Sequence, residues 1–336
     1  MLLRQARRAR VLSRFALAAR DRGLIARLPD KVRQHFAAAS VIAANHDRAV
    51  RWEINRIERA LADLAIPILL LKGAAYVAAR LPPARGRLVS DIDIMVPEDA
   101  LDAVRTALQR HGWEQMKLDP YDQRYYRLWM HELPPLRHRE RQTVVDVHHT
   151  ILPKTSRLKP DPQKLWHAAR GLERPPLYTL GPADMVLHSA AHLFHDSDLN
   201  LGIRDVTDIG DLLQHFAAED GFWQALVPRA RELDLARPLF YALRYTTRLL
   251  GTPVSQDVMR AAQAAAPSGP VLAVMDRLAP RVLLPDHPDR PSRRTGEAAL
   301  LLFIRSHWLR MPPVLLAAHL TRKALRRSLQ RRESPP

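Results

Sequence analysis

Cysteine is absent from this 336-residue sequence. Its absence excludes disulfides, zinc–thiolate centres and thiol nucleophiles, and it suits a reducing compartment, so a cytoplasmic protein is the expectation. No continuous apolar run reaches the roughly 20 residues of a membrane-spanning helix. No internal repeat stands out. Acids are scarce: 35 Asp and Glu face 52 Lys and Arg, for a formal net charge of +17. A surplus of this size points to a polyanionic partner (RNA, a nucleotide or an anionic lipid surface) or to arginine-rich solvated faces. The shortage is sharpest at the start, where Arg4, Arg7, Arg8, Arg10, Arg14 and Arg20 all precede Asp21, the first acid.

Apolar residues make up 47% of the chain, enough for a sizeable core, and the length allows two domains. Residues 1–64 read as an N-terminal helical segment. Val32, Phe36, Val50, Ile54, Ile57 and Leu61 recur at helical spacing, and Pro67 limits the last helix. Residues 65–152 hold the short apolar and alternating runs expected of strands, and form the candidate core domain. Residues 153–285 begin with a proline-broken connection, then turn helical, with helix starts at Gly181-Pro182-Ala183-Asp184 and near Arg204-Asp205. Residues 286–336 comprise a proline-rich linker and basic C-terminal helices. Arg322, Lys323, Arg326, Arg327, Arg331 and Arg332 make the last of these a candidate contact for RNA or an anionic membrane surface. The fold class is α+β: a small mixed sheet embedded in a largely helical body.

The chemistry concentrates between residues 66 and 150. Ile68 to Leu71 form an apolar run ended by Lys72-Gly73, the pattern of a buried strand feeding a turn. A helix opening at Gly73 and Ala74 turns its free backbone N–H groups towards incoming phosphates. Lys72 is a candidate phosphate contact, or a strand-end lysine in water. In Ser90-Asp91-Ile92-Asp93-Ile94-Met95-Val96 the apolar residues alternate with acids, which predicts a strand with Asp91 and Asp93 on one face. Two like charges so placed repel each other unless a hard cation such as Mg²⁺ bridges them. Thr143-Val144-Val145-Asp146-Val147-His148 predicts another strand, and beside the first it would bring Asp146 to the same pair.

These runs together resemble the polymerase-β-like nucleotidyltransferase superfamily. More narrowly, Leu71-Lys72-Gly73, Arg87 with Ser90-Asp91-Ile92-Asp93, and Val145-Asp146-Val147-His148 resemble the bacterial family of uncharacterised nucleotidyltransferases, over roughly residues 10–250. The resemblance implies transfer of a nucleoside monophosphate from an NTP to an acceptor, by in-line displacement with Mg²⁺ or Mn²⁺. It implies that Asp91, Asp93 and Asp146 hold the metal, and that Lys72, Gly73, Ala74, Arg87 and Ser90 meet the nucleotide. The superfamily usually has Gly-Ser or Gly-Gly at the turn, whereas this chain has Gly73-Ala74, one hydroxyl fewer. The acceptor is open: a small molecule, a peptide, a protein or an RNA. Non-catalytic nucleotide or RNA binding on the same fold, and a peripheral membrane or assembly role for the basic termini, stand as the alternatives.

His188, His192 and His195 recur at i, i+4, i+7 and are expected on one helical face. The spacing His-x-x-x-His can bind zinc, but the zinc-protease motif needs Glu after the first His, and Ser189 stands there. A structural or pocket role is therefore the expectation for His188 and His192. His148 shares the face of Asp146. Arg204, Asp205 and Asp208 open the following helix; the resemblance implies that they line the pocket opposite the sheet, while Asp205 reads equally as a first-turn acid that meets the helix dipole.

Overall fold

The computed structural model describes residues 1–116, 130–290, 292–312 and 316. The tyrosine-rich stretch at Tyr121, Tyr125 and Tyr126 and the basic segment from Arg322 to Arg332 lie outside the described residues.

The arginine-rich start forms two helices, α1 (Leu2–Arg8) and α2 (Leu12–Asp21), broken where Arg10 takes a left-handed conformation. Ala6, Ala9, Val11 and Leu12 are buried with Ala39 in a small apolar cluster. Ala39 belongs to α3 (Asp30–Leu61), a 32-residue helix with Asp30 in its first turn, where the helix dipole favours a negative charge. After α3 the chain enters β1 (Ile68–Leu70) and α4 (Lys72–Ala78). Next come β2 (Ile92–Met95), α5 (Leu101–Arg110), β3 (Trp113–Gln115), β4 (Leu136–His138) and β5 (Val144–His148). The proline-rich connection carries α6 (Pro162–His167) and two further short strands, β6 (Arg170–Gly171) and β7 (Leu177–Thr179).

All seven strands join one mixed sheet in the order β3-β4-β5-β2-β1-β7-β6. β2 lies at its centre, antiparallel to β1 and parallel to β5. Sequence pattern alone did not show β7, which pairs in parallel with β1. It is only three residues long and follows Pro175-Pro176, so it offers no alternation to read.

The helical body is built around α7 (Pro182–Ala191), in which every residue from Asp184 to Ala191 is buried. A helix apolar on all sides belongs at the centre of a bundle. It packs against α8 (Ile203–Phe216), α9 (Phe222–Glu232) and α10 (Ala236–Leu250). Its one buried acid, Asp184, accepts two hydrogen bonds from Arg229 of α9, at 2.7 and 2.8 Å. The described chain continues through α11 (Gln256–Gln263), α12 (Gly269–Leu283) and α13 (Arg293–Arg310). One continuous apolar cluster runs from Val50 through the sheet to Leu302. Among the described residues, no helix is long and apolar enough to cross a membrane.

Candidate functional site

The parallel pairing of β2 with β5 sets Asp93 beside Asp146, and Met95 beside His148. Neighbouring strands are about 4.8 Å apart and paired residues point to one face, so the two acids share a side of the sheet. Asp91 sits just ahead of β2, two residues before Asp93 and on the same side by strand alternation. Lys72, the first residue of α4, reaches across and donates to Asp93 Oδ1 at 2.9 Å. Lys72 is the left-handed residue of this turn, with φ 43°. His148 Nε2 lies 3.1 Å from the same Asp93 oxygen.

Two residues not singled out from the sequence complete the cluster. Glu132 forms an isolated antiparallel bridge with His148, which brings Glu132 Oε2 to 3.3 Å from His148 Nδ1. The His131 ring lies 5.1 Å from that of His148, tilted by 33°. The apolar patterning around them is weak. Only the pairing of residues 130–133 with the end of β5 reveals their position.

The charges are strongly unequal. Burial by itself would raise the pKa of Asp93, but Lys72 and His148 overcome it and hold the carboxyl well below its usual range. Burial likewise opposes charge on Lys72, and Asp93, Glu132 and Asp91 more than restore it. Asp146 goes the other way: burial, reinforced by Glu132, Asp93 and Asp91, pushes it up to about 7. Among the described residues, its Oδ1 is buried without a hydrogen-bond partner. Burial is also the chief cause raising Glu132 and lowering His131. Three carboxyl groups, Asp93, Glu132 and Asp91, thus act on one lysine. Asp91, Asp93 and Asp146 offer oxygen donors, one of them orphaned among the described residues, of the kind that a hard divalent cation such as Mg²⁺ or Mn²⁺ takes.

A second cluster lies on the α8 side. Arg87 is buried, donates from Nε to Asp208 at 2.7 Å and has Nη2 3.6 Å from Asp205. Asp208 also accepts from Arg14 of α2, which in turn donates to Asp211 at 2.7 Å. Arg204 donates to its neighbour Asp205 at 2.9 and 3.1 Å. Burial would raise the pKa of Asp205, but Arg204, Arg87 and His192 outweigh it and lower it. Gly73 is needed here for space, since a Cβ on it would stand 2.4 Å from Arg87 Nη1. Tyr76, below Arg87 in α4, donates its hydroxyl to Ser189 Oγ at 2.6 Å, because the single Ser189 proton is given to the Met185 carbonyl.

The histidines of α7 divide between two environments. His192 is held at about 4, first by the charge of Lys72 and then by burial. His188 is buried and lies well below its usual value, with burial the main cause and Lys72 next. Both therefore feel the charge of the lysine. His195 does not share that environment: its Nε2 lies 2.8 Å from Ser156 Oγ, near Arg305 and Arg157. The helix turns π-helical over His192–Asp196, and the wider turn rotates His195 away from the stripe expected of a regular helix.

The structure thus brings Asp91, Asp93, Asp146, Lys72, His148, His188 and His192 to one region, with Arg87, Arg204, Asp205 and Asp208 alongside. Lys72 and Arg87 rest on carboxylates, Asp93 and Asp208 respectively. Ser90 donates to Asp91 at 2.8 Å. Ala74 is fully buried in the first turn of α4.

A family model described as uncharacterised nucleotidyltransferase matches residues 1–251. No curated protein and no solved structure matches the chain.

Proposed function

The chain belongs to the family of uncharacterised nucleotidyltransferases, and we propose that it moves a nucleoside monophosphate from an NTP to a hydroxyl or phosphate of its acceptor at the Asp91, Asp93, Asp146 cluster. The observation that carries this reading is the β2–β5 register, which sets Asp93 beside Asp146 and leaves Asp146 Oδ1 buried and unpartnered. Mg²⁺ or Mn²⁺ held by these three carboxylates would neutralise the triphosphate and make the acceptor oxygen a better nucleophile.

In this reading the acceptor oxygen forms a bond to the α-phosphorus as the bond to the pyrophosphate oxygen breaks, and pyrophosphate leaves. Asp146 helps to hold the metal and, standing near the acceptor oxygen in this reading, takes its proton. Lys72 keeps Asp93 ionised and oriented until the triphosphate arrives. Arg204, partly exposed and engaged only by its neighbour among the described residues, supplies a guanidinium to the phosphates, with Arg87 behind it. His188 and His192, kept neutral, line the opposite wall without adding charge. The net charge of +17 suits a polyanionic acceptor such as RNA, whose binding would weaken steeply with salt.

Calorimetric titration of each NTP with Mg²⁺ tests the site. Wild type should bind in a metal-dependent way, and Asp91→Asn/Asp93→Asn should not. Equal binding by the folded double variant would overturn the assignment. A pyrophosphate-release screen on the NTP that binds then searches for the acceptor.

A further inference from the structure

Beside the carboxylate cluster lies a set of donors that oxygen-seeking Mg²⁺ does not need. His131, Glu132 and His148 each offer a ligand atom, and these atoms all lie within 4.8 Å of one another. Both histidines are at least nine-tenths buried, with exposures of 6% and 2%. Among the described residues, their Nδ1 atoms are both buried without a hydrogen-bond partner.

The tautomer of His148 follows from its neighbour. Asp93 Oδ1, which accepts from Lys72 at 2.9 Å, lies 3.1 Å from His148 Nε2, and this contact places the ring proton of a neutral His148 on Nε2. Nδ1 then presents a lone pair 3.3 Å from Glu132 Oε2, another acceptor, and the two do not hydrogen-bond. Two lone-pair groups facing each other in a buried site need a cation or a proton between them. A carboxylate that accepts the remote N–H of an imidazole is also the usual outer partner of a metal-bound histidine, where it fixes the ring and raises its basicity. Asp93 occupies that position here.

We propose that His131, Glu132 and His148 bind a divalent transition-metal ion of zinc-like character, with Asp93 as the positioning residue for His148. Two imidazoles and one carboxylate suit Zn²⁺ far better than Mg²⁺, and three protein ligands leave a position open for water or substrate. The ion would stand at the edge of the Asp91, Asp93, Asp146 cluster and offset the charge of Glu132. The assignment does not depend on nucleotidyl transfer, because its ligands and its readout are separate.

The test uses tag-free, chelator-stripped full-length protein, titrated with Zn²⁺ by calorimetry and with Co²⁺ by visible absorption. Wild type should bind a single Zn²⁺ and give Co²⁺ ligand-field bands. Affinity should fall about tenfold or more in His131→Ala and in Glu132→Gln, and the bands should disappear. Asp91→Asn should retain both. Absence of Zn²⁺ binding by folded wild type would mean that a proton alone occupies the site, and would overturn the proposal. Binding that survives His131→Ala and Glu132→Gln would overturn it too, as would equal loss in Asp91→Asn, which would place the ion in the carboxylate cluster. Should His131→Ala fail to fold, His131→Gln repeats the test with a side chain of similar size.

Discussion

Replacing Gly73 with alanine puts one methyl group where Arg87 and Val89 already stand. The new Cβ would lie 2.4 Å from Arg87 Nη1 and 2.9 and 3.0 Å from the two Val89 methyls, where ordinary contact begins at 3.4 Å. Val89 is buried and its amide is held by His46 Nε2 at 2.8 Å, so Arg87 has to give way by about 1 Å. That retreat stretches the 2.7 Å bond to Asp208 beyond hydrogen-bonding range. Loss of a hydrogen bond to a charged group costs about 1.5–3 kcal/mol. Overpacking adds about 1–3 kcal/mol, and the better helix propensity of alanine returns about 1 kcal/mol. A net loss of about 3 kcal/mol lowers the melting temperature of a chain this long by about 4 °C. Thermal unfolding of Gly73→Ala, Arg87→Met and the double variant measures it. The alanine should cost markedly less when Arg87 is absent, with the Val89 contact as the remainder. A Gly73→Ala protein as stable as wild type, or a cost indifferent to Arg87, would refute the reasoning.

Three further outcomes follow from the geometry. Asp146 has a folded-state pKa of about 7, above that of an unfolded aspartate, so the metal-free protein gains stability from its proton at low pH and loses that gain as pH rises towards and through 7. Stabilisation by Mg²⁺, which replaces the proton, should therefore be larger at pH 8 than at pH 6 by thermal shift. A pH-independent Mg²⁺ effect, or one unchanged in Asp146→Asn, would count against it. Lys72→Met removes the main cause of the low His192 pKa, so NMR titration should find His192 moved from about 4 towards the ordinary 6.5; no movement would mean that burial alone sets it. Tyr76→Phe deletes a buried hydroxyl bond to Ser189 and should cost about 0.5–1.5 kcal/mol in denaturant unfolding. A variant within error of wild type would show that the bond is not worth making.

The strands at Ile68–Leu70, Ile92–Met95 and Val144–His148 were legible because each couples an apolar run or alternation to an abrupt chemical change, Lys72 in one case and an aspartate in the others. The positions of Asp91, Asp93 and Asp146 followed from that pattern, and the register that joins Asp93 to Asp146 is its tertiary completion. Glu132 and His131 escaped notice because they lie in an irregular segment that carries no period. In the sequence the glycine of the turn reads as a source of bare amides. Instead Lys72 adopts the left-handed conformation, and Gly73 is small because a guanidinium packs against it. Sequence spacing put His188, His192 and His195 on one face, and a local π-helical turn separated the third from the others. Such a turn leaves no mark in the composition. It depends on what the helix end packs against.

The cluster at Asp208 has a bearing on how the chain assembles as it is made. Arg14 and Arg87 meet this carboxylate across 194 and 121 residues of sequence. A nascent chain emerges from its N-terminus, so both guanidiniums are synthesised long before their shared counter-ion. Until α8 leaves the ribosome, Arg14 and Arg87 have no Asp208 to share, although α2 can already pack on Ala39 of α3. Fragments that stop short of Asp208 should therefore hold the N-terminal helices against α3, with both guanidiniums still lacking that counter-ion.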